Sequence, residues 1–141
     1  MNYSIFLFLS FSLLACHKTE TLNYSIENKT DKTIQMDFYI DGTVALSKTQ
    51  EGEGVIHSFS ISDFRGNVLP RHELRNYDSI ITLFDETKKH VFSFYHDNGT
   101  TASVDSNIYF IDAYEQLNTE DYLFCFDENY YNSADSIFNN E

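Results

Sequence analysis

Few kinds of residue in this chain could do chemistry. Five histidines, two cysteines and 22 carboxylates stand among its 141 residues. His72-Glu73-Leu74-Arg75-Asn76 opens like the helical zinc motif His-Glu-x-x-His but carries Asn76 where the second ligand must stand. Two ligands on one helix face are therefore lacking. His57, His90 and His96 fall on separate stretches, and no local spacing gathers them round a metal. Cys125 sits in the alternating apolar run Asp121-Tyr122-Leu123-Phe124-Cys125-Phe126-Asp127. A nucleophilic thiol needs a positive field, and its acidic surroundings act the other way, so it reads as a buried, inert thiol. No Gly-x-Ser-x-Gly elbow supports a serine triad, and the glycines are isolated at turns rather than grouped round a phosphate. Asp41-Gly42 and Asp97-Asn98-Gly99 lack the alternating acids and closing Glu of a calcium loop. Among 22 acids, paired carboxylates of the glycosidase kind arise by chance and carry no information. The expectation is a chain with no catalytic centre, no metal and no cofactor.

Charge is more telling. Nine basic residues against 22 acidic ones leave a net charge of −13. That excludes a nucleic-acid binder, because neutralising phosphates requires Lys and Arg. It also excludes an electrostatic grip on anionic lipid. No Lys or Arg follows Lys89, and residues 90–141 hold ten of the acids. Within that stretch Asp112, Glu115, Glu120 and Asp121 form a candidate docking surface for a cationic protein or another envelope partner. Its alternative is a solvated face that keeps the domain soluble. Tyr77, Tyr114 and Tyr130 fall in expected loops and are candidate recognition anchors.

The N-terminus carries its own signal. Residues 5–15 form an apolar run of eleven, nine of them apolar, which is too short to span a bilayer. It has the length of a secretory h-region, although the four residues before it contain no Lys or Arg. The run ends Leu13-Leu14-Ala15-Cys16, which resembles the lipobox of bacterial lipoproteins. The resemblance implies cleavage before Cys16, a diacylglycerol on its thiol and acylation of the new amine. Two or more acyl chains hold a protein stably at a membrane where one does not. His17 stands where Asp marks inner-membrane retention in that family, so the implied destination is the outer membrane. With Cys16 lipidated, Cys125 has no disulfide partner. The expected organisation is a signal peptide over 1–15, a lipidated tether over 16–20 and a single domain over 21–141.

Removing 15 of 141 residues leaves 126, enough for one domain. The dominant hydrophobic period is two. Leu22, Tyr24 and Ile26 alternate with polar residues, as do Ile34, Met36, Phe38 and Ile40. Asp41-Gly42 between that run and residues 43–47 predicts a two-residue hairpin, because a type I′ turn needs positive φ at both central positions. Further strands are expected over 55–61, 79–84, 90–95, 107–113 and 122–127. Residues 63–77, with Pro70, read as a long connection holding one helical turn. After Asp127, a candidate N-cap, Tyr130, Ala134, Ile137 and Phe138 have the spacing of a short amphipathic helix. The pattern predicts an all-β fold, an antiparallel β-sandwich (immunoglobulin-like or related) of seven to eight strands with a short C-terminal helix. The Trp and Cys pair of true immunoglobulin domains are lacking.

The chain also resembles small Bacteroidota-type lipoproteins of unknown function. The likeness lies in the lipobox, an Asn-rich turn after the first strand, the central run 78–85 and the closing strand and helix over 121–134. It implies a surface β-sandwich and brings no catalytic residues with it. Asp78-Ser79-Ile80 and Asp135-Ser136-Ile137 resemble the Bacteroidota O-glycosylation acceptor, with Ser136 the better placed of the two serines. The Asn-x-Ser/Thr triplets at Asn23, Asn28 and Asn98 carry no weight in a bacterial chain. The expected function is a lipid-anchored, non-catalytic envelope module, membrane-attached through Cys16. The competing expectation is a small envelope hydrolase whose site gathers scattered histidines and acids.

Overall fold

A computed structural model describes residues 19–63, 68–93 and 107–137. The expected signal peptide, Cys16, His17, His96, the turn at 97–99 and Phe138 lie outside these residues. Among the described residues nine strands form two sheets. One sheet has the order β4-β1-β8-β7, built from β4 (Gly54–Asp63), β1 (Glu20–Asn28), β8 (Asp121–Phe126) and β7 (Glu115–Gln116). The other has the order β3-β2-β5-β6-β9, built from β3 (Thr43–Glu51), β2 (Thr33–Ile40), β5 (Ser79–Phe84), β6 (Lys88–Ser93) and β9 (Asp135–Ser136). The fold is an all-β sandwich with a short C-terminal helix, α2 (Glu128–Ser133).

The period-two runs explain the layers. Tyr24, Ile26, Ile34, Met36, Phe38, Ile80, Phe84, Phe124 and Phe126 all point between the sheets and are buried. The Asp41-Gly42 hairpin forms as expected, with φ of 49° and 73° and Ile40 opposite Thr43. The expected helical turn in the long connection is α1 (Arg71–Leu74), which plugs buried Leu74 into the core.

The described strands number nine rather than seven to eight, with the two-residue β7 unforeseen, and further features differ from the sequence expectation. One pair, β1 with β8, is parallel, because the β7–β8 hairpin lays β8 beside β1 running the same way. Residues 107–113 are not a strand. Asn107 turns the chain by accepting from the Tyr109 amide at 3.1 Å, and Ile111–Ala113 closes as a 3-10 turn. Such an Asx turn competes directly with strand pairing. Ile108 and Tyr109 are consequently both buried, which breaks the alternation. The third difference is the length of α2. Asp127 caps it, accepting from the amides of Asn129 and Tyr130. However, Ala134 is extended, and Asp135 and Ser136 pair with Lys89 and Lys88. Finally, β3 and β4 run longer than their apolar runs, out to Glu51 and Asp63.

Asn28 pins one end of the sandwich. It is buried, and its Nδ2 donates to the carbonyls of Lys32 and Gly52, both at 2.7 Å. Its Oδ1 accepts from the Thr30 amide and hydroxyl. One side chain thus ties the end of β1, the β1–β2 turn and the β3–β4 corner where the chain changes sheets.

Candidate functional site

The outer face of the β3-β2-β5-β6-β9 sheet carries a set of converging polar groups. Because Met36 and Phe38 face the core, Gln35, Asp37 and Tyr39 face outward. The pairing register sets Ser47 and Ile81 on either side of Asp37, and Thr49 and Leu83 on either side of Gln35. Asp37 is only 8% exposed. Its carboxylate accepts from Gln35 Nε2 at 3.0 and 2.9 Å and from Ser47 Oγ at 2.6 Å. Both partners are neutral, and among the described residues no Lys or Arg forms an ion pair with it. Burying a carboxylate on neutral donors alone is unusual, since buried charges normally take a cationic partner.

Beside this group lies a cleft of about 330 Å³, lined by Thr33, Gln35, Thr49, Leu83, Asp85 and Glu86. Asp85 locks the rim, its Oδ1 accepting from the Thr33 amide at 2.7 Å while its own amide donates to the Thr33 carbonyl. Asp85 and Glu86 have φ of 47° and 57°. Non-glycine residues in this region carry backbone strain, and strained residues gather at functional sites. Two acids held there in succession, where Gly or Asn would sit more easily, set a negative rim on the cleft. Gln35 spends its amide donor on Asp37, so its carbonyl oxygen remains as an acceptor. The site is therefore rich in acceptors and negative charge. It suits a ligand that presents hydrogen-bond donors on a cation. Ser47 and Asp37 have no imidazole between them, so the pair lacks the base that would activate a hydroxyl.

The residues expected from sequence are dispersed. His57, on β4, packs against the rings of Phe38 and Phe59, while His90, on β6, packs against Phe92 and Tyr130. Burial lowers both imidazole pKa values. Lys48 adds to the effect at His57, and Asp135 opposes it at His90. The two stand in different sheets at opposite sides of the sandwich. Among the described residues no three His, Cys, Asp or Glu side chains could hold a metal. Burial pushes the half-buried Cys125 thiol up, away from the thiolate, with Lys29 acting the other way.

The four docking acids do not act alike. Glu115 lies on β7 and Glu120 in the β7–β8 turn, both exposed. Asp121 is committed to the fold: its carboxylate accepts from Asn118 at 2.7 Å and from Asn23 at 2.9 Å, which lowers its pKa. Asp112 lies in a separate hollow with Arg71, Tyr109 and Phe110. Tyr114 is no recognition anchor, being 7% exposed with its hydroxyl donating to the Ile108 carbonyl. Tyr77 and Tyr130 are half-buried and pack on the core. Ser79 lies in β5 and Ser136 in β9, each half-buried within a sheet. Asn28, one of the triplet asparagines, is buried with both amide donors used.

Sequence reading missed Asp37, Gln35, Ser47 and Thr49. Alternation places them on the outer face, but nothing in it distinguishes a buried outer carboxylate from a solvated one. No family model matches the chain, and neither a curated protein nor a solved structure does.

Proposed function

We propose that this chain is a lipid-anchored protein of the bacterial outer membrane whose sandwich is a non-catalytic binding module. Leu13-Leu14-Ala15-Cys16, ending four residues before the first strand, carries the anchoring half of this reading. Four residues reach about 14 Å at most, so the Glu20 end of the sandwich faces the bilayer. The cleft belongs to the other end. Thr33 follows the turn that Asn28 holds, about 26 Å along β1 from Glu20. The negative rim at Asp85 and Glu86 would thus project outward, toward the Lys or Arg side chains of a cationic partner.

Cys16→Ser should abolish acyl labelling and release the protein into soluble fractions; a variant still processed and membrane-bound would disprove the anchor. For the cleft, fluorescence anisotropy of a labelled hexalysine peptide on the detergent-solubilised protein gives the readout. Glu86→Gln should weaken binding more than Glu115→Gln or Glu120→Gln, although each removes one charge. The binding should also fall as salt rises, since exposed charges are screened over about 8–10 Å at physiological ionic strength. Equal effects from all three variants would reduce the cleft to one part of a uniformly acidic surface. A larger effect from neutralising Asp112, Glu115 and Glu120 would move the site to the C-terminal acids.

A further inference from the structure

Arginine is confined to one stretch of this chain. Arg65, Arg71 and Arg75 all fall between β4 and β5, and Arg65 lies outside the described residues. β4 finishes opposite Glu20, and the Asp78 amide donates to the Tyr39 carbonyl at 2.8 Å where β2 finishes. Residues 68–78 therefore lie across the Glu20 end of the sandwich. The Tyr24 hydroxyl fastens them there, donating to the Val68 carbonyl at 2.8 Å. Tyr109 brings a second segment to the same end, its hydroxyl donating to the Tyr77 carbonyl at 3.2 Å. Where the two segments meet lies a hollow of about 150 Å³, lined by Leu69, Arg71, Tyr109, Phe110, Ile111 and Asp112. Arg71 opens α1, and its carbonyl accepts from the Arg75 amide at 2.9 Å. Asp112 is the middle residue of the 3-10 turn, which the Ala113 amide closes on the Phe110 carbonyl at 3.2 Å. Both backbones are thus held in place. The two side chains share the hollow, yet among the described residues neither forms an ion pair. One segment offers a guanidinium and the other a carboxylate, while Leu69, Phe110 and Ile111 supply apolar surface.

We propose that this hollow is a subsite for a phosphoethanolamine headgroup, with Arg71 donating to the phosphate and Asp112 accepting from the ammonium. A guanidinium presents paired N–H donors that match two phosphate oxygens. A carboxylate has lone pairs for the N–H groups of an ammonium. The volume equals that of about five waters in the liquid, which admits a headgroup and leaves acyl chains outside. The surrounding charge favours a zwitterion over an anion. Glu20, Asp41, Glu73, Asp78 and Glu120 stand at the same end, so a headgroup of net negative charge meets repulsion. A headgroup whose own ammonium cancels its phosphate does not. The proposal rests on the anchoring reading, which turns the Glu20 end toward the bilayer and so brings headgroups to this hollow. A tether at one point leaves the sandwich free to rotate. A headgroup held between Arg71 and Asp112 adds a second point of attachment, which fixes the orientation and keeps the cleft at the far end directed outward.

Isothermal titration of the membrane-extracted protein in a maltoside detergent tests the subsite, with dihexanoyl-phosphatidylethanolamine as the probe. The probe should bind. The phosphatidylcholine of the same chain length should bind about tenfold more weakly or worse, since its trimethylated ammonium has no N–H to donate to Asp112. Phosphatidylglycerol should bind no better than the choline lipid. Arg71→Gln and Asp112→Asn should each weaken the ethanolamine lipid by about tenfold, because each strands one charged end of the headgroup. Glu73→Gln, which removes a charge from the same end, should leave the binding unchanged. If a variant fails to fold, the comparison of lipids on the parent protein decides. Equal or tighter binding of the choline or glycerol lipid overturns the proposal, as does unchanged binding in both the Arg71 and Asp112 variants. Binding of glycerophosphoethanolamine without binding of the lipid also overturns it, since the hollow would then serve a soluble ester. Acyl labelling of Cys16 is measured separately. Labelled protein without the lipid preference sinks the subsite and leaves the anchor standing. Unlabelled protein that keeps the preference supports the subsite and sinks the anchor.

Discussion

The closed and open sides of this sandwich solve the same packing problem differently. On the closed side, aromatic rings interlock between β8, β5, β6 and α2. Phe126 meets Phe84, Phe92, Phe124 and Tyr130 with ring centroids 5.2–6.0 Å apart. The Lys88 ammonium sits 4.4 Å from the Tyr131 ring centroid and donates to the Tyr131 carbonyl, which fastens α2 in place. On the open side, Phe59 stacks on Tyr24 and borders His57, then gives way to solvent. The lesson is that aromatic content alone does not close a sandwich. Closure needs an element to bring further rings, and on the closed side α2 brings those of Tyr130 and Tyr131.

Truncation on the two sides should separate them by size. Phe126→Ala should cost about 3–5 kcal/mol, because a fully buried ring leaves a cavity that four aromatic neighbours cannot fill. Equilibrium urea unfolding would measure it, and a loss near 1 kcal/mol would mean that the closed side is loosely packed. Asn28→Ala should come next, at about 2–3 kcal/mol, since it strands the groups it holds in the β1–β2 turn and at the β3–β4 corner. If the cost is small, the corner between β3 and β4 is held by something other than this amide. Phe59→Ala should cost about 1–2 kcal/mol, less than the closed-side variant because the ring is already partly in water. An equal loss at positions 59 and 126 would erase the distinction between the sides.

Thr82→Val probes the interior of the closed side. Thr82 lies on β5 between Met36 and His90, and its hydroxyl is buried without a hydrogen-bond partner. Replacing it should stabilise the fold by up to about 1 kcal/mol, as a buried unsatisfied group is removed. A destabilised variant would show that the hydroxyl is satisfied. The smallest effect concerns pH and involves one histidine from each side. Folding lowers the pKa of both His57 and His90. Below about pH 6.5 the unfolded chain therefore takes up protons that the folded chain resists, so stability falls as the solution is acidified through that range. Urea unfolding at pH 7.5 and pH 5.5 should show the drop, and His90→Phe should reduce it. A variant with an unchanged drop would assign the effect to other groups.

Much of the architecture was legible in the residues. The alternation of Leu22, Tyr24 and Ile26, and of Ile34 to Ile40, required sheets with one apolar face. Asp41-Gly42 required the hairpin, and Asp127 required the helix start, because these are local demands of backbone geometry and capping. The parallel β1–β8 pair was not legible, since no local pattern records which distant strand lies alongside. Asn107 misled in the opposite direction, its Asx turn overriding an apolar run that read as strand.

The cleft shows most clearly where sequence stops and tertiary structure begins. Counting back from the Asp41-Gly42 turn, a regular hairpin sets Leu46 opposite Asp37. The bulge at Ala45 shifts the register by one, so Leu46 meets Phe38 toward the core and Ser47 meets Asp37 outside. Local preference determined the turn, and side-chain period determined the face. The shift itself was decided by the second sheet, because burying Leu46 against the core rewards an extra residue that no short-range signal requests. The hydroxyl, amide and carboxylate around Asp37 are neighbours only as its consequence.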